Sequence, residues 1–231
     1  GMVVEERALR QVRAHVGMVF QDPDDQLFSL TVFEDVAFGP LHGGYPREEV
    51  QARVSRALAA VGMAGHEEHM PYHLSIGERK RIAIATVLAM DPEVLVLDEP
   101  SAGLDPRARR SLIHLLRDLP QTMLISSHDM RLVWDLCPRT VILDGGRLVA
   151  DGPTAELLQD AALMEAHGLE VPFRSGPSGQ MVLRGLVPFR HADRRLAQCD
   201  GGRRGLVQRR QWNIFRRRER QGRRGLPRTS T

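Results

Sequence analysis

The apolar positions fall into blocks whose period changes along the chain. Residues 16–20, Val16-Gly17-Met18-Val19-Phe20, read as a short strand that stops at Gln21 and the turn-forming Asp22-Pro23-Asp24-Asp25-Gln26. Thr31 can cap a short helix, expected to run through Phe38 and to be closed by Gly39-Pro40. Residues 46–61 carry Val50, Val54, Leu58 and Val61 on one stripe, with Glu48, Glu49, Arg53 and Arg56 away from it, and Gly62 ends that amphipathic helix. These pieces make a mostly helical insertion between the first strand and the next block.

That block is Leu74-Ser75-Ile76-Gly77-Glu78, which opens a helix reaching Ala89 ahead of Asp91-Pro92. Ser75 and Glu78 have capping-box spacing, so two otherwise orphan amide donors are satisfied and the helix start is fixed. Such a terminus presents a hydroxyl, a glycine amide and the positive end of the helix dipole, which suits phosphate. Next comes Val94-Leu95-Val96-Leu97-Asp98-Glu99-Pro100. A continuous apolar run reads as a strand buried on both faces, and two acids at its end stand at the carboxyl edge of a parallel sheet, where ligands bind in open α/β folds.

Behind the acids, Asp105 caps a helix with Pro106 at its first position, expected to end near Leu116. A second buried strand is expected over 123–127, ending at His128. Two neighbouring strands would thus bring Asp98-Glu99 and His128 to one sheet edge, within reach of one bound molecule. Residues 140–151 form a hairpin about Gly145-Gly146, a short helix follows over 154–158, and the ordered body is expected to end near 171–173.

Composition refines this outline. The 231 residues support one substantial core. No apolar stretch approaches the roughly 18 residues of a membrane span, and no secretory pattern opens the chain, so a soluble, cytoplasmic protein is expected. Cys137 and Cys199 are too far apart in sequence for a metal or redox motif. Sixteen of the 32 basic residues but only three of the 29 acidic ones lie from Arg174 onward, so an acidic body precedes a basic tail. That tail, rich in Arg and Gly and without periodicity, is expected to be disordered.

Taken together, these motifs resemble the nucleotide-binding subunit of an ABC transporter over residues 16–173. Gln21 after a strand is similar to the Q-loop, LSIGE at 74–78 to the signature, VLVLDEP to the Walker B strand, SAGLD to the D-loop and His128 to the switch histidine. FQDPDDQLFSLTVFEDVAFGP, LSIGERKRIAIATVLAMDP and TVILDGGRLVADG look most like the cobalt or nickel and energy-coupling-factor branch. The resemblance implies an α/β fold, an incomplete P-loop NTPase with parallel core strands, a helical signature subdomain at about 31–90 within a partial domain 1–173, and a tail at 174–231.

It also implies roles. Asp98 would hold Mg²⁺, directly or through water, because a hard cation on phosphate oxygens takes oxygen ligands. Glu99 would polarise the attacking water as general base. Gln21 would join the metal and water shell while its loop senses the transmembrane subunit, and His128 would stabilise charge on the γ-phosphate. Ser75 and Gly77, with Glu78 fixing the cap, would bind ATP held by a second ATPase subunit in a homo- or heterodimer, and Asp105 would couple the two sites. The protein would sit peripherally on the cytoplasmic face of the membrane and drive import of a transition-metal ion or a vitamin.

Three departures matter. Ile76 and Glu78 replace the first glycine and the glutamine of the commoner LSGGQ form. More serious, no GxxxxGK[ST] loop is present, and Lys80 is the chain's sole lysine. Without that cradle the chain is expected to be inactive alone and, as a non-catalytic or vestigial fragment, to donate its signature to an intact partner. A truncated gene product, beginning at an internal Met2 and leaving frame near Phe173, would explain both ends.

Other readings carry less. His66, His69 and His73 do not match a metal-binding helix and read as a solvated loop. The tail's charge suits RNA, DNA or anionic lipid, yet only Trp212 and Phe215 lie near its Arg clusters to stack on bases, and the long heptads of chromosome-type relatives are missing. Nucleic acid is therefore not the expected partner.

Overall fold

The computed structural model describes residues 5–170, which fall in one unit of the chain, Gly1–Gly179. The tail expected to be disordered, 174–231, lies outside the described residues. In chain order the elements are α1 (Leu9–His15), β1 (Val16–Val19), α2 (Val32–His42), α3 (Arg47–Ala60), α4 (Ile76–Leu88), β2 (Val94–Asp98), α5 (Pro106–Asp118), β3 (Thr122–Ser126), α6 (Met130–Leu136), β4 (Arg139–Asp144), β5 (Arg147–Pro153), α7 (Thr154–Leu157) and α8 (Ala161–Ala166).

The capping chemistry read from the sequence sets the helix starts. Thr31 accepts from the Glu34 amide and Glu34 returns a bond to the Thr31 amide, which closes the box at the start of α2. Asp105 accepts from the amides of Arg107 and Ala108 and starts α5 with Pro106 at its first position. In α3 the stripe Val50, Val54 and Leu58 is buried, and Glu49 pairs with Arg53 at 2.8 Å one turn away.

One helix end differs from expectation: α2 does not stop at Gly39-Pro40 but continues through both to His42. Pro40 removes only its own amide from the ladder, and the bond from Gly43 N to Gly39 O (2.9 Å) carries the helix past it. Gly39 serves a different purpose, since a Cβ there would lie 2.7 Å from Met90 Sδ, so the glycine lets α2 approach the end of α4. The sequence alone did not flag α1, α6 or α8, which are six or seven residues each and too short for a clear period.

β1, β2 and β3 form a parallel sheet in the order β1-β2-β3. Register places Val19, Leu97 and Ile125 in one row and Met18, Val96 and Leu124 in the next. Successive rows face opposite sides. Leu95 and Leu97 are fully buried with Ile82, Ile84, Leu112 and Leu116 of α4 and α5, whereas Met18 and Leu124 are 42% and 65% exposed. The expectation of strands buried on both faces is therefore corrected: among the described residues the helices cover one face. The outward residues are apolar too, so the period-two alternation was invisible in the sequence. The antiparallel β4–β5 hairpin forms as expected, and Ile142 packs with Met130, Val133, Leu158 and Met164 in a second small core.

Candidate functional site

The parallel register Asp98↔Ser126 brings the ends of β2 and β3 together, and with them the residues that follow. Glu99 takes a left-handed backbone, φ 41°, unusual for a residue with a side chain and costing about 1–3 kcal/mol where it occurs. Its surroundings hold it there. Its amide donates to Ser126 O at 2.9 Å, its carboxylate Oε1 accepts from the His128 amide at 3.0 Å and from His128 Nδ1 at 2.8 Å, and Oε2 accepts from Ser127 Oγ at 3.2 Å. A carboxylate offers about four lone-pair positions, so this arrangement leaves room for one further donor such as a water.

The Glu99 side chain is 17% exposed and that of His128 is 78% exposed, so the imidazole caps the acid from the solvent side. The hydrogen bond and charge of Glu99 raise the His128 pKa above its ordinary 6.5. Protonated His128 therefore contributes stability that is complete below about pH 6.5 and is lost as pH rises through the raised value. Glu99→Gln removes the charge and is expected to bring the His128 titration, followed by NMR of the ring Cε1–H, back towards 6.5. An unchanged midpoint would mean that the pair does not form in solution.

Asp129, not singled out in the sequence, extends this cluster. Its Oδ2 accepts from Ser101 Oγ and pairs with Arg109 Nε, both at 2.9 Å, while its Oδ1 caps α6 and its amide donates to Ser127 Oγ. The SAGLD loop and the segment carrying His128 are thus tied through one carboxylate. Asp98 is half-buried at the end of β2 and Gln21 is exposed after β1, and both carry side-chain oxygens, the donor type a hard divalent cation takes.

The start of α4 forms a separate part of the site. Ser75 N and Oγ donate to Glu78 Oε2 at 2.8 and 2.6 Å, and these bonds lower the Glu78 pKa. The hydroxyl also accepts the Glu78 amide, at 3.4 Å. An anion that takes the Ser75 hydroxyl must therefore exchange with the Glu78 carboxylate. Gly77 lies where a Cβ would meet Ala108 Cβ at 3.3 Å, so α4 and α5 come close at this end. Asp105 spends its Oδ1 on the α5 amides of Ala108 and Arg107, which lower its pKa.

Lys80 stands out in the sequence as its sole lysine. It is 4% exposed, and its Nζ donates to Gln21 O at 3.0 Å and Glu99 O at 3.3 Å. Committed to main-chain carbonyls inside the fold, it does not stand in for a P-loop lysine. The readable signal was its place on the apolar stripe of α4 with Ala83, Ile84 and Val87. No group of three or more metal-ligating side chains occurs among the described residues, which covers His66, His69 and His73.

Comparison with known proteins places this geometry. The ABC transporter family model matches residues 1–102. A putative ABC transporter ATP-binding protein of Streptomyces coelicolor is 55% identical over 177 residues, 77% of this chain and 68% of that protein. The energy-coupling factor transporter ATP-binding protein EcfA of Methanothermobacter thermautotrophicus is 48% identical over 167 residues, 71% of this chain and 54% of its own length. Among solved structures, cbiO1 from Clostridium perfringens, part of the ABC transporter complex cbiONQ, superposes with a TM-score of 0.63 at 36% identity, covering 73% of this chain and 68% of cbiO1. With this extent of identity and the motifs at one sheet edge, the chain belongs to the family of ABC transporter ATP-binding proteins.

Proposed function

We propose that this chain serves an energy-coupling-factor type importer of a transition-metal ion or a vitamin, and that it works by donating the start of α4 to ATP held on the P-loop of a second ATPase subunit. The observation that carries this reading is the intact, solvent-facing cap at Ser75, Gly77 and Glu78. The names of the EcfA and cbiO1 relatives support the transporter class. In such a pair Ser75 and the Gly77 amide bind the γ-phosphate, and the α4 dipole favours its charge. Asp98 and Gln21 belong to this chain's own nucleotide site rather than to the one α4 completes, and there they would hold Mg²⁺. In that same own-side site Glu99 would accept a proton from the attacking water, with His128 holding the acid in place. The test is to mix the chain with a full-length P-loop-bearing relative: ATP-dependent association supports the reading, and its absence sinks it.

For the transmembrane partner we propose the exposed aromatic face at the Gln21 loop and α2. Phe28 and Leu30 are 66% and 68% exposed, and Phe28 packs edge-on against Phe38 at 5.0 Å between centroids. The buried Asp35 holds the loop in that shape by accepting from the amides of Phe28 and Ser29. No helix of the described residues is long and apolar enough to cross a membrane, so contact with the bilayer would come through the partner, at its cytoplasmic face. Phe28→Asp is expected to weaken capture by the membrane subunit at least roughly tenfold, as loss of a buried aromatic anchor does, while the His128 titration stays in place. Unchanged capture would move the docking face elsewhere.

A further inference from the structure

Helix α4 grips the Gln21 loop at three places along one flank. Arg79 Nε lies 3.5 Å from Asp24 Oδ1, Lys80 Nζ donates to Gln21 O, and Gln26 Nε2 donates to Ala83 O at 2.8 Å and Thr86 Oγ1 at 2.7 Å. Of these three residues Lys80 is the one whose bonds also reach Glu99. Burying an ammonium is costly unless it is paired and hydrogen-bonded, and a methionine would fill similar space without that cost. What the ammonium adds is three donors on one atom, enough to hold carbonyls from two separate segments at once. The second carbonyl belongs to the residue with the left-handed backbone, where Glu99 O also accepts the Ala102 amide at 3.1 Å. Burial lowers the Lys80 pKa, and the negative charges of Asp22 and Glu99 offset part of that cost.

We infer that Lys80 is a positioning residue that latches the Gln21 loop to the main chain of Glu99, so that a displacement of the loop is transmitted to the acid at the end of β2. Its value for function rests on the reading of the Gln21 loop as partner-facing and of Glu99 as the base, but the latch itself needs neither nucleotide nor partner. In the same way the start of α4 moves with the loop, because all three grips lie on that one helix.

The test uses the full 231-residue chain and hydrogen exchange read by mass spectrometry over residues 99–102. Gln26→Ala removes one of the three grips, together with the bond from the Phe20 amide to Gln26 Oε1, and touches neither Glu99 nor His128. With Lys80 present it is expected to speed exchange at 99–102 roughly tenfold, the effect of loosening one hydrogen bond to a charged group, while the amides of α3 keep their rates. Lys80→Met is expected to speed the same segment, and adding Gln26→Ala to it should change nothing further. A second measurement does not depend on the Lys80→Met chain folding. Acylation of the single lysine in the unmodified protein should run at least roughly tenfold slower than in a peptide of residues 76–84, and Gln26→Ala should accelerate it. Unchanged exchange at 99–102 in Gln26→Ala, additive effects of the two substitutions, or peptide-like acylation of Lys80 would each overturn the latch. Failure of ATP-dependent association would leave these results untouched, so the two ideas fail separately.

Discussion

Gly77→Asp is expected to abolish ATP-dependent association of this chain with a P-loop-bearing relative. The substitution acts twice at the start of α4. It puts a carboxylate where phosphate must arrive, next to the Glu78 carboxylate whose pKa is already held down by Ser75. It also adds a Cβ 3.3 Å from Ala108 Cβ, tight enough that α5 must give way. Losing one charge-assisted hydrogen bond costs about 1.5–3 kcal/mol, and like-charge repulsion adds to it, so a weakening of roughly a hundredfold or more follows. Analytical ultracentrifugation with and without ATP reads it directly. Retained association in Gly77→Asp would show that the α4 terminus does not meet the nucleotide.

Leu97→Ala should produce the largest loss of stability, about 2–5 kcal/mol, because Leu97 is 0% exposed in the row between Val19 and Ile125 and its removal leaves a cavity the packed helices cannot fill. The residue directly precedes Asp98 and Glu99, so the same change loosens the strand end that carries both acids. Val96→Ala, one residue earlier and on the other face, should cost clearly less in urea unfolding. Equal losses from the two would contradict a core lying on one side of the sheet.

Much of this was legible in the chain because caps and turns are local chemistry. Ser75 with Glu78, Asp105 with Pro106 and the Gly145-Gly146 turn needed no tertiary information, and all three occur where the spacing put them. The meeting of Glu99 with His128 followed from parallel strand order, which a buried run and a crossover helix already imply. What stayed hidden depends on distant packing. Gly39-Pro40 looked like a stop because sequence cannot tell a helix-ending glycine from one that makes room for Met90. The one-sided burial of β2 was masked by Val94 and Val96. Asp129 and Lys80 act through partners 19 to 59 residues away, beyond the reach of any periodicity.

The backbone at Glu99 has a consequence for how this position can change over time. A glycine or asparagine would sit at φ 41° with less strain, so selection on folding alone pushes towards them and away from the acid. An acid kept on such a backbone marks a position where stability and chemistry pull in opposite directions. Among homologous chains released from any catalytic duty, this is where drift towards small or amide side chains should appear first.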